Sequence, residues 1–547
     1  MKMKHNFKKL ISMVLTLCMM LTIWPVSVAD VRAAGKIPVS SAQDFVNIAD
    51  NPSGSYYLTK DITLPKEMQT LFPGDGYGKD TKFTGTLDGR GHKIKGYTYS
   101  GKGNGNYGAP VSLIGLAEKA TFKNLSLTGV NLNVNAGEDG AQVCTLVSNA
   151  RDCKFDKVKV SGKITIKGNC TAKPGVHYGV RGLCGGNSNI FTNCSSSLKI
   201  KVSTGMTNEL DISGLANSAK SLKNCSFKGS ITADAKAAYE WVNTDHGALS
   251  ESGNFLAAGL CVSATEKVTG CTNSGNIKLS VNKGSVDKLR ETNNEVIVAY
   301  GIAGGRPTTM TSCGNSGTIQ VSAPKMKSAA KAYGLVEEVY KMKKCWNKGK
   351  ISVTGGASVG AAGLSEGITD ARECYNKGKV SATGTKTSQS CYVCDVSEEP
   401  NNVSIGSVAG GLSINTGQMN NCYNVGSVTV KGRGAAAGLS CFVGNFDKVS
   451  KCNYSIGTIT AKNGAAGLFY MIDTFEAIMH GKPIVYDSYY KGCKDGYCRG
   501  PSPTNKGVPR VTKISSVTSR SCPKLSSKYW TYSSKYKRLV LKNNKEK

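Results

Sequence analysis

Between Cys153 and Gly467 the chain keeps returning to one pattern of hydrophobic and polar positions. After the turn glycines Gly349, Gly378 and Gly426, a run such as Lys350-Ile351-Ser352-Val353 sets a β-branched residue at every second position. A period of two with that composition predicts a short strand with its apolar side on a core. A second element recurs in each unit, in forms such as "VRGLC", "ISGLA", "AYGIA" and "AAGLS". Its small residues suit a place where neighbouring backbones lie close, and its leucine supplies the core.

Cysteines head the units, at Cys153, Cys194, Cys225, Cys271, Cys313, Cys345, Cys374, Cys422 and Cys452, spaced by 29 to 48 residues. Periods of this size mark a solenoid or a propeller. The anchor glycine stands 11 to 14 residues before the next cysteine, whereas the other half of the unit varies from 15 to 37. Asn273, Asn315, Asn347, Asn376 and Asn424 each stand two residues after a cysteine and two before a glycine. Asn-x-Gly is turn chemistry, because both residues tolerate the left-handed conformation. Stacked in register, the asparagines would lie about 4.8 Å apart as a column of amides bonded rung to rung. Cys271, Cys313, Cys345, Cys374 and Cys422 would stack likewise, reduced and pointing inward as small hydrophobes.

A propeller needs hairpins, and hairpin dipeptides do not recur here at a regular spacing. The expected fold is all-β: a right-handed parallel β-helix, a solenoid of roughly nine or ten rungs. Ser40 to Asp50 reads as a short amphipathic helix, with Phe45 and Ile48 on one face, capping the N-terminal end.

Composition adds a compartment and a charge. The 547 residues carry 69 Lys+Arg against 37 Asp+Glu, a net charge of +32 that suits polyanions. Residues 1–33 read as a secretory signal, with Lys2, Lys4, Lys8 and Lys9 ahead of an apolar stretch from Leu10 to Ile23. Its removal takes five basic residues and Asp30, leaving +28. No other segment reads as long and apolar enough to span a bilayer. Residues 34–95 are expected to hold the N-terminal cap and first strands, 96–490 the β-helix repeats, and 491–547 a C-terminal cap and basic tail. Of 20 cysteines, Cys18 leaves with the signal, and the odd remainder argues against a complete disulfide framework.

The stretches "FTGTLDGRGHKIKGYTYS" (Phe83 to Ser100) and "VSLIGLAEKATFKNLSLTGVNL" (Val111 to Leu132), with the "CYNxGxV" rungs, resemble the GLUG-motif proteins. So do "SSAQDFVNIADNPSGSYYLTKDITL" near the start and "LSSKYWTYSSKYKRLVLK" near the end. Those are secreted or surface proteins of Gram-positive bacteria, frequently anaerobes. The resemblance implies a β-helix over nearly the whole mature chain. It brings no catalytic residues, because the family has no single assigned reaction.

Candidate sites are few. Three insertions, "AKAAYEWVNTDHGALSESGNF", "NKGSVDKLRETNNEV" and "TGTKTSQSCYVCDVSEEPNN", follow the strand and precede the Gly-Leu anchor. A stacked array would put them on one side of the rod, as a binding face or as drifted surface loops. Lys528, Lys535, Lys537 and Arg538 lie among Tyr529, Trp530, Tyr532 and Tyr536, either as a cap strand with a solvated tail or as a basic-aromatic segment for polyanions. Asn243-Thr244-Asp245 matches one motif of pectin-cleaving glycosidases, without the Asp-Asp pair, Gly-His-Gly or basic triplet that would complete the set. Acidic residues fall singly along the rungs, with no carboxylate cluster on a strand. Cys391-x-x-Cys394 reads as a loop disulfide rather than a redox pair or half a zinc site, and Cys493 with Cys498 reads the same way.

The expected function is that of an exported, non-catalytic, adhesin-like protein, secreted or at the cell surface. It binds anionic glycans or cell-envelope polymers, without metal, cofactor or nucleic acid. The alternative is a carbohydrate-active enzyme, a polysaccharide lyase or glycosidase on a pectate-lyase-like β-helix. Paired carboxylates on adjacent rungs would favour the enzyme, and a loop-lined groove with aromatics the binder.

Overall fold

The computed structural model describes residues 35–546 except 67, 75–79, 104–110, 138–139, 169–176, 208, 239–254, 283–295, 327–328, 357, 385–405, 445–448, 463, 473–483 and 500–508. The expected leader, the three insertions and the pair Cys391 and Cys394 lie wholly or largely outside the described residues.

The chain is a parallel β-helix. One coil shows the plan: Ala329–Tyr333, Val336–Lys343, Trp346–Asn347 and Ile351–Gly355 are its four strands. The first two join one long parallel sheet and the last two another. Strands of these two sheets pair in parallel with their counterparts on the next coil, in register at Ile319, Ile351, Val380 and Val428. Such pairing repeats a cross-section every 4.7–4.9 Å or so, which makes stacked columns of like side chains possible.

Among the described residues one row of the second sheet runs from Ile62 through Asn376 to Lys513 and crosses fourteen strands, more than the nine or ten rungs expected. Pairing begins at Ile37 and so extends beyond 96–490 at both ends. The early rungs escape the cysteine pattern because larger side chains fill them. Leu125 and Val158 hold the cysteine position, and Phe122, Phe155 and Phe191 stack inside at 5.1 and 4.8 Å. The helix expected over 40–50 is shorter and broken, with an α-helical turn at Ala42–Val46 followed by a 3-10 turn at Asn47–Asp50. Ser41 caps it, accepting from the Asp44 amide, and Phe45 and Ile48 are fully buried in the core.

The cysteines owe their place to the corner before them. The preceding residue is left-handed, with φ of 53–56° at Asn193, Asn224, Ser312, Lys344, Glu373 and Asn421. That conformation costs roughly 1–2 kcal/mol for a residue with a Cβ. Its amide still bonds across rungs, as from Ser312 to the Lys343 carbonyl at 2.9 Å. The inward Sγ then donates to the carbonyl two residues back, at 3.2–3.5 Å in Cys194, Cys225, Cys271, Cys313, Cys345, Cys374 and Cys422. Cysteine is thus both a small hydrophobe and a donor.

Two heads are misplaced by the sequence pattern. Cys452 is itself the left-handed corner, φ 58°, and Asn453 takes the inward place, with its amide donating to the Met419 carbonyl at 2.8 Å. Cys153 stands at a different corner, where its amide donates to Asn189 Oδ1 at 2.9 Å. The column cysteines carry free thiols and are buried. Cys493 also carries a free thiol, bonded to the Ala465 carbonyl at 3.0 Å, so the expected Cys493–Cys498 bridge is not formed.

Opposite the Gly-Leu elbow runs the asparagine column. Nδ2 of Asn273, Asn315, Asn347 and Asn376 donates to Oδ1 of the next asparagine at 2.7, 2.8, 2.7 and 2.8 Å. The second Nδ2 proton goes to the glycine carbonyl two residues on, at 2.9 Å for Asn376 and Asn424. Ser455 holds this position in the row beyond Asn424. The interior is narrow here: a Cβ on Gly334 would lie 1.8 Å from the Gly363 carbonyl oxygen and 3.2 Å from Asn347 Cγ. Only glycine fits the elbow.

Asn376→Ala removes amide bonds to both neighbours and strands polar atoms in a sealed interior. We expect a loss of about 1–3 kcal/mol, read as a lower denaturant midpoint; an unchanged midpoint would show that the column carries no stability.

Candidate functional site

Three outward surfaces carry chemistry. The first is the position between cysteine and asparagine. In the early rungs it holds Ser226, Thr272 and Gly314, and then Trp346, Tyr375, Tyr423, Tyr454 and Tyr489 on successive rungs. Tyr375, Tyr423 and Tyr454 stack at 5.1 and 4.9 Å, and Trp346 lies 6.5 Å from Tyr375. These rings are buried because the C-terminal segment folds back along them.

That segment is neither an end cap nor a solvated tail. Its antiparallel pair, Trp530–Ser533 with Arg538–Leu541, packs Trp530, Leu539 and Leu541 onto the ladder. Trp530 Nε1 donates to Asn421 Oδ1 at 3.1 Å, and the Tyr454 hydroxyl to the Leu539 carbonyl at 2.7 Å. The Glu546 carboxylate accepts from the Tyr423 hydroxyl at 2.7 Å and pairs with Lys377 Nζ at 2.8 Å and with Arg538. Burial works to raise the Glu546 pKa, yet Lys377, Tyr423 and Arg538 hold it below the usual carboxylate range. Of the expected polyanion contacts, Arg538 is therefore spent on Glu546. Lys528 and Lys535 are exposed, lying 5.5 and 5.2 Å over Tyr529 and Tyr536, and Lys537 occupies the exposed left-handed turn of the hairpin. The signal for this strap was the change from "CTN" and "CGN" to "CWN" and "CYN", which puts aromatics where a solvent-facing strand would be polar.

The second surface is a lysine face on the early rungs. Strands Lys159–Lys167, Ser195–Thr207, Ser230–Ala238 and Asn276–Val281 are neighbours in one sheet. Their outward positions include exposed Lys159, Lys163, Lys167, Lys199, Lys201, Lys236 and Lys278, against Asp234 as the acid of these strands. Lys163 and Lys199 are direct neighbours across rungs.

The third surface is the outer side of the elbow. Ala299 and Ala332 face the core, so Tyr300 and Tyr333 face away, yet they are 3% and 0% exposed. Their rings stack at 6.1 Å. Beyond the elbow, Glu337 and Glu366 occupy matching positions on adjacent rungs, between the pairs Val336–Ser365 and Glu338–Gly367. Carboxylates are therefore clustered on strands, contrary to the sequence reading; 29 residues of chain separate two that the register places side by side. Lys331 Nζ contacts both oxygens of Glu366 at 3.0 and 3.2 Å, and Glu337 Oε2 accepts from the Gly305 amide at 3.1 Å. Burial first, and then the Glu366 charge, raise the Glu337 pKa. Burial and the carboxylates also raise the Tyr300 and Tyr333 phenols.

Among the described residues no three His, Cys, Asp or Glu side chains are grouped to hold a metal ion, and no helix is long and apolar enough to cross a membrane. The chain matches no family model and no curated protein.

Two outcomes follow from these pKa directions. A carboxyl held low contributes stability above the ordinary glutamate pKa and loses it as pH falls through the lowered value. Acidification should therefore loosen the strap, seen in Trp530 fluorescence, and Glu546→Gln should abolish that acid transition. Glu337 has the opposite sign, since its proton is held more tightly in the fold and the associated stability is lost as pH rises through the raised pKa. Glu337→Gln should raise the unfolding midpoint near neutral pH, with the gain vanishing in acid.

Proposed function

We propose that this protein is an exported β-helix that binds anionic polysaccharide or cell-envelope polymer, without catalysing a reaction on it. The observation that carries this reading is the lysine face. Seven lysines stand on outward positions of four neighbouring strands with one aspartate among them. Neighbouring rungs repeat at about 4.8 Å and alternate residues along a strand at about 6.6 Å, so the charges form a grid on a rigid surface. A rigid grid binds a linear polyanion without first ordering its own side of the contact. The leader, the +32 balance and the resemblance to GLUG-motif proteins support the same reading.

Retention on a polygalacturonate column should be strong at low salt and fall steeply as salt rises, because exposed charges are screened beyond about 8 Å at physiological ionic strength. Replacing Lys163, Lys199 and Lys201 together by Gln should lower the eluting salt markedly, and replacing Lys535 and Lys537 only slightly. Equal effects from both variants would remove the lysine face from the proposal.

A second reading, a carbohydrate-active enzyme, is favoured by the adjacent Glu337 and Glu366. Glycoside cleavage uses two carboxyl side chains that flank the bond being broken. New reducing ends or unsaturated products after incubation with polysaccharide, abolished by Glu366→Gln, would establish it.

A further inference from the structure

The elbow cluster is closed to solvent, so its chemistry lies among its own side chains. Lys331 stands on the strand before the elbow, and Glu366 on the strand after it, one coil further on. Lys331 Nζ meets both Glu366 oxygens, at 3.0 and 3.2 Å, and the two side chains are only 15% and 14% exposed. An amine held against both oxygens also lies close to the carboxyl carbon, near the roughly 3–3.5 Å of atoms poised to react. Glu337 holds the matching position beside Glu366 and feels the charges of both Glu366 and Lys331. The Tyr333 hydroxyl bonds to Glu366 and the Tyr300 hydroxyl to Glu337. Both rings belong to a buried apolar cluster with Val298, the in-register neighbour of Lys331. Holding two ions out of water is costly, and a neutral amide in their place removes that cost.

We propose that Lys331 and Glu366 condense to an intramolecular isopeptide bond that staples one coil to the next. This goes beyond the glycan reading and does not rest on it. The Nζ ammonium first passes one proton to the Glu366 carboxylate, leaving a free amine and a carboxylic acid. The Nζ lone pair then attacks Cδ. A second Nζ proton moves through the Glu337 carboxyl to the departing hydroxyl, and the C–O bond breaks. One N–C bond is gained, one water is lost, and nothing is oxidised or reduced. Tyr333 donates to the oxygen on which negative charge gathers. Burial, and then the Glu366 charge, hold a proton on Glu337, which suits a carboxyl that gives up one proton as it takes another. Amides in water tend towards hydrolysis, but here the partners are fixed face to face and the apolar cluster keeps water away.

The test is the intact mass of the full chain, purified and then denatured, against the mass that its termini require. The wild type should be lighter by one water, and a digest should contain one branched peptide joining Lys331 to Glu366. Lys331→Met and Glu366→Ala should each restore the full mass. The Lys331→Met chain should also unfold at lower denaturant, because a link between residues 35 apart restricts the unfolded state. Glu337→Ala should keep the circular dichroism of the wild type and yet show the full mass. A branched peptide formed equally well in Glu337→Ala would overturn the proton path through that residue. A folded wild type of full mass, with Lys331 open to amine labelling once denatured, overturns the bond itself. So does a loss of water that persists in Lys331→Met.

Discussion

Every feature of this molecule depends on in-register parallel stacking. Once a strand lies on its counterpart about 4.8 Å away, each side chain's nearest neighbours are the residues at the same place one coil before and after. A side chain is then selected for tolerating copies of itself above and below. Amides do this by donating to one copy and accepting from the other, and Asn273 to Asn424 do so in an unbroken run. Thiols do it by turning to the backbone, and aromatic rings by stacking.

The corner shows how strain and composition are linked. A left-handed residue with a side chain is unfavourable alone, but its amide stays within the cross-rung ladder and the following Sγ adds a donor inside the bend. Where the cysteine run stops, Asn453 and Ser488 continue the same service with stronger donors, at 2.8 Å to the Met419 carbonyl and 3.0 Å to the Tyr486 carbonyl. The requirement is for a small inward donor, and cysteine also adds apolar volume.

The architecture was legible because the constraint is periodic. Asn-x-Gly turns, alternating strands and Gly-Leu elbows repeat wherever the cross-section is narrowest, and the glycine of "AYGLV" meets the next glycine's backbone. The first rungs were less legible, since phenylalanine or leucine can fill the same interior without leaving a motif. The elbow cluster was hidden for another reason. Glu337 and Glu366 become neighbours only through the register, and insertions of unequal length separate corresponding positions by unequal intervals. The strap was readable in principle from the outward tyrosines, whereas the partner covering them lies more than a hundred residues away for Tyr423. Lysine positions were visible singly, but their arrangement on one face needed the strand alignment.

The strap also sets an order of events. A solenoid can grow coil upon coil as its chain is delivered, each new rung templated on the one before. The ladder from Trp346 to Tyr489 is finished while the strands that will cover it have yet to arrive. Five large rings must therefore wait in water, on an otherwise completed face, until the last stretch of polypeptide turns back and Glu546 closes over Tyr423. If the coils form in the order of synthesis, the rod is built from one end to the other and its sealing runs in the opposite direction.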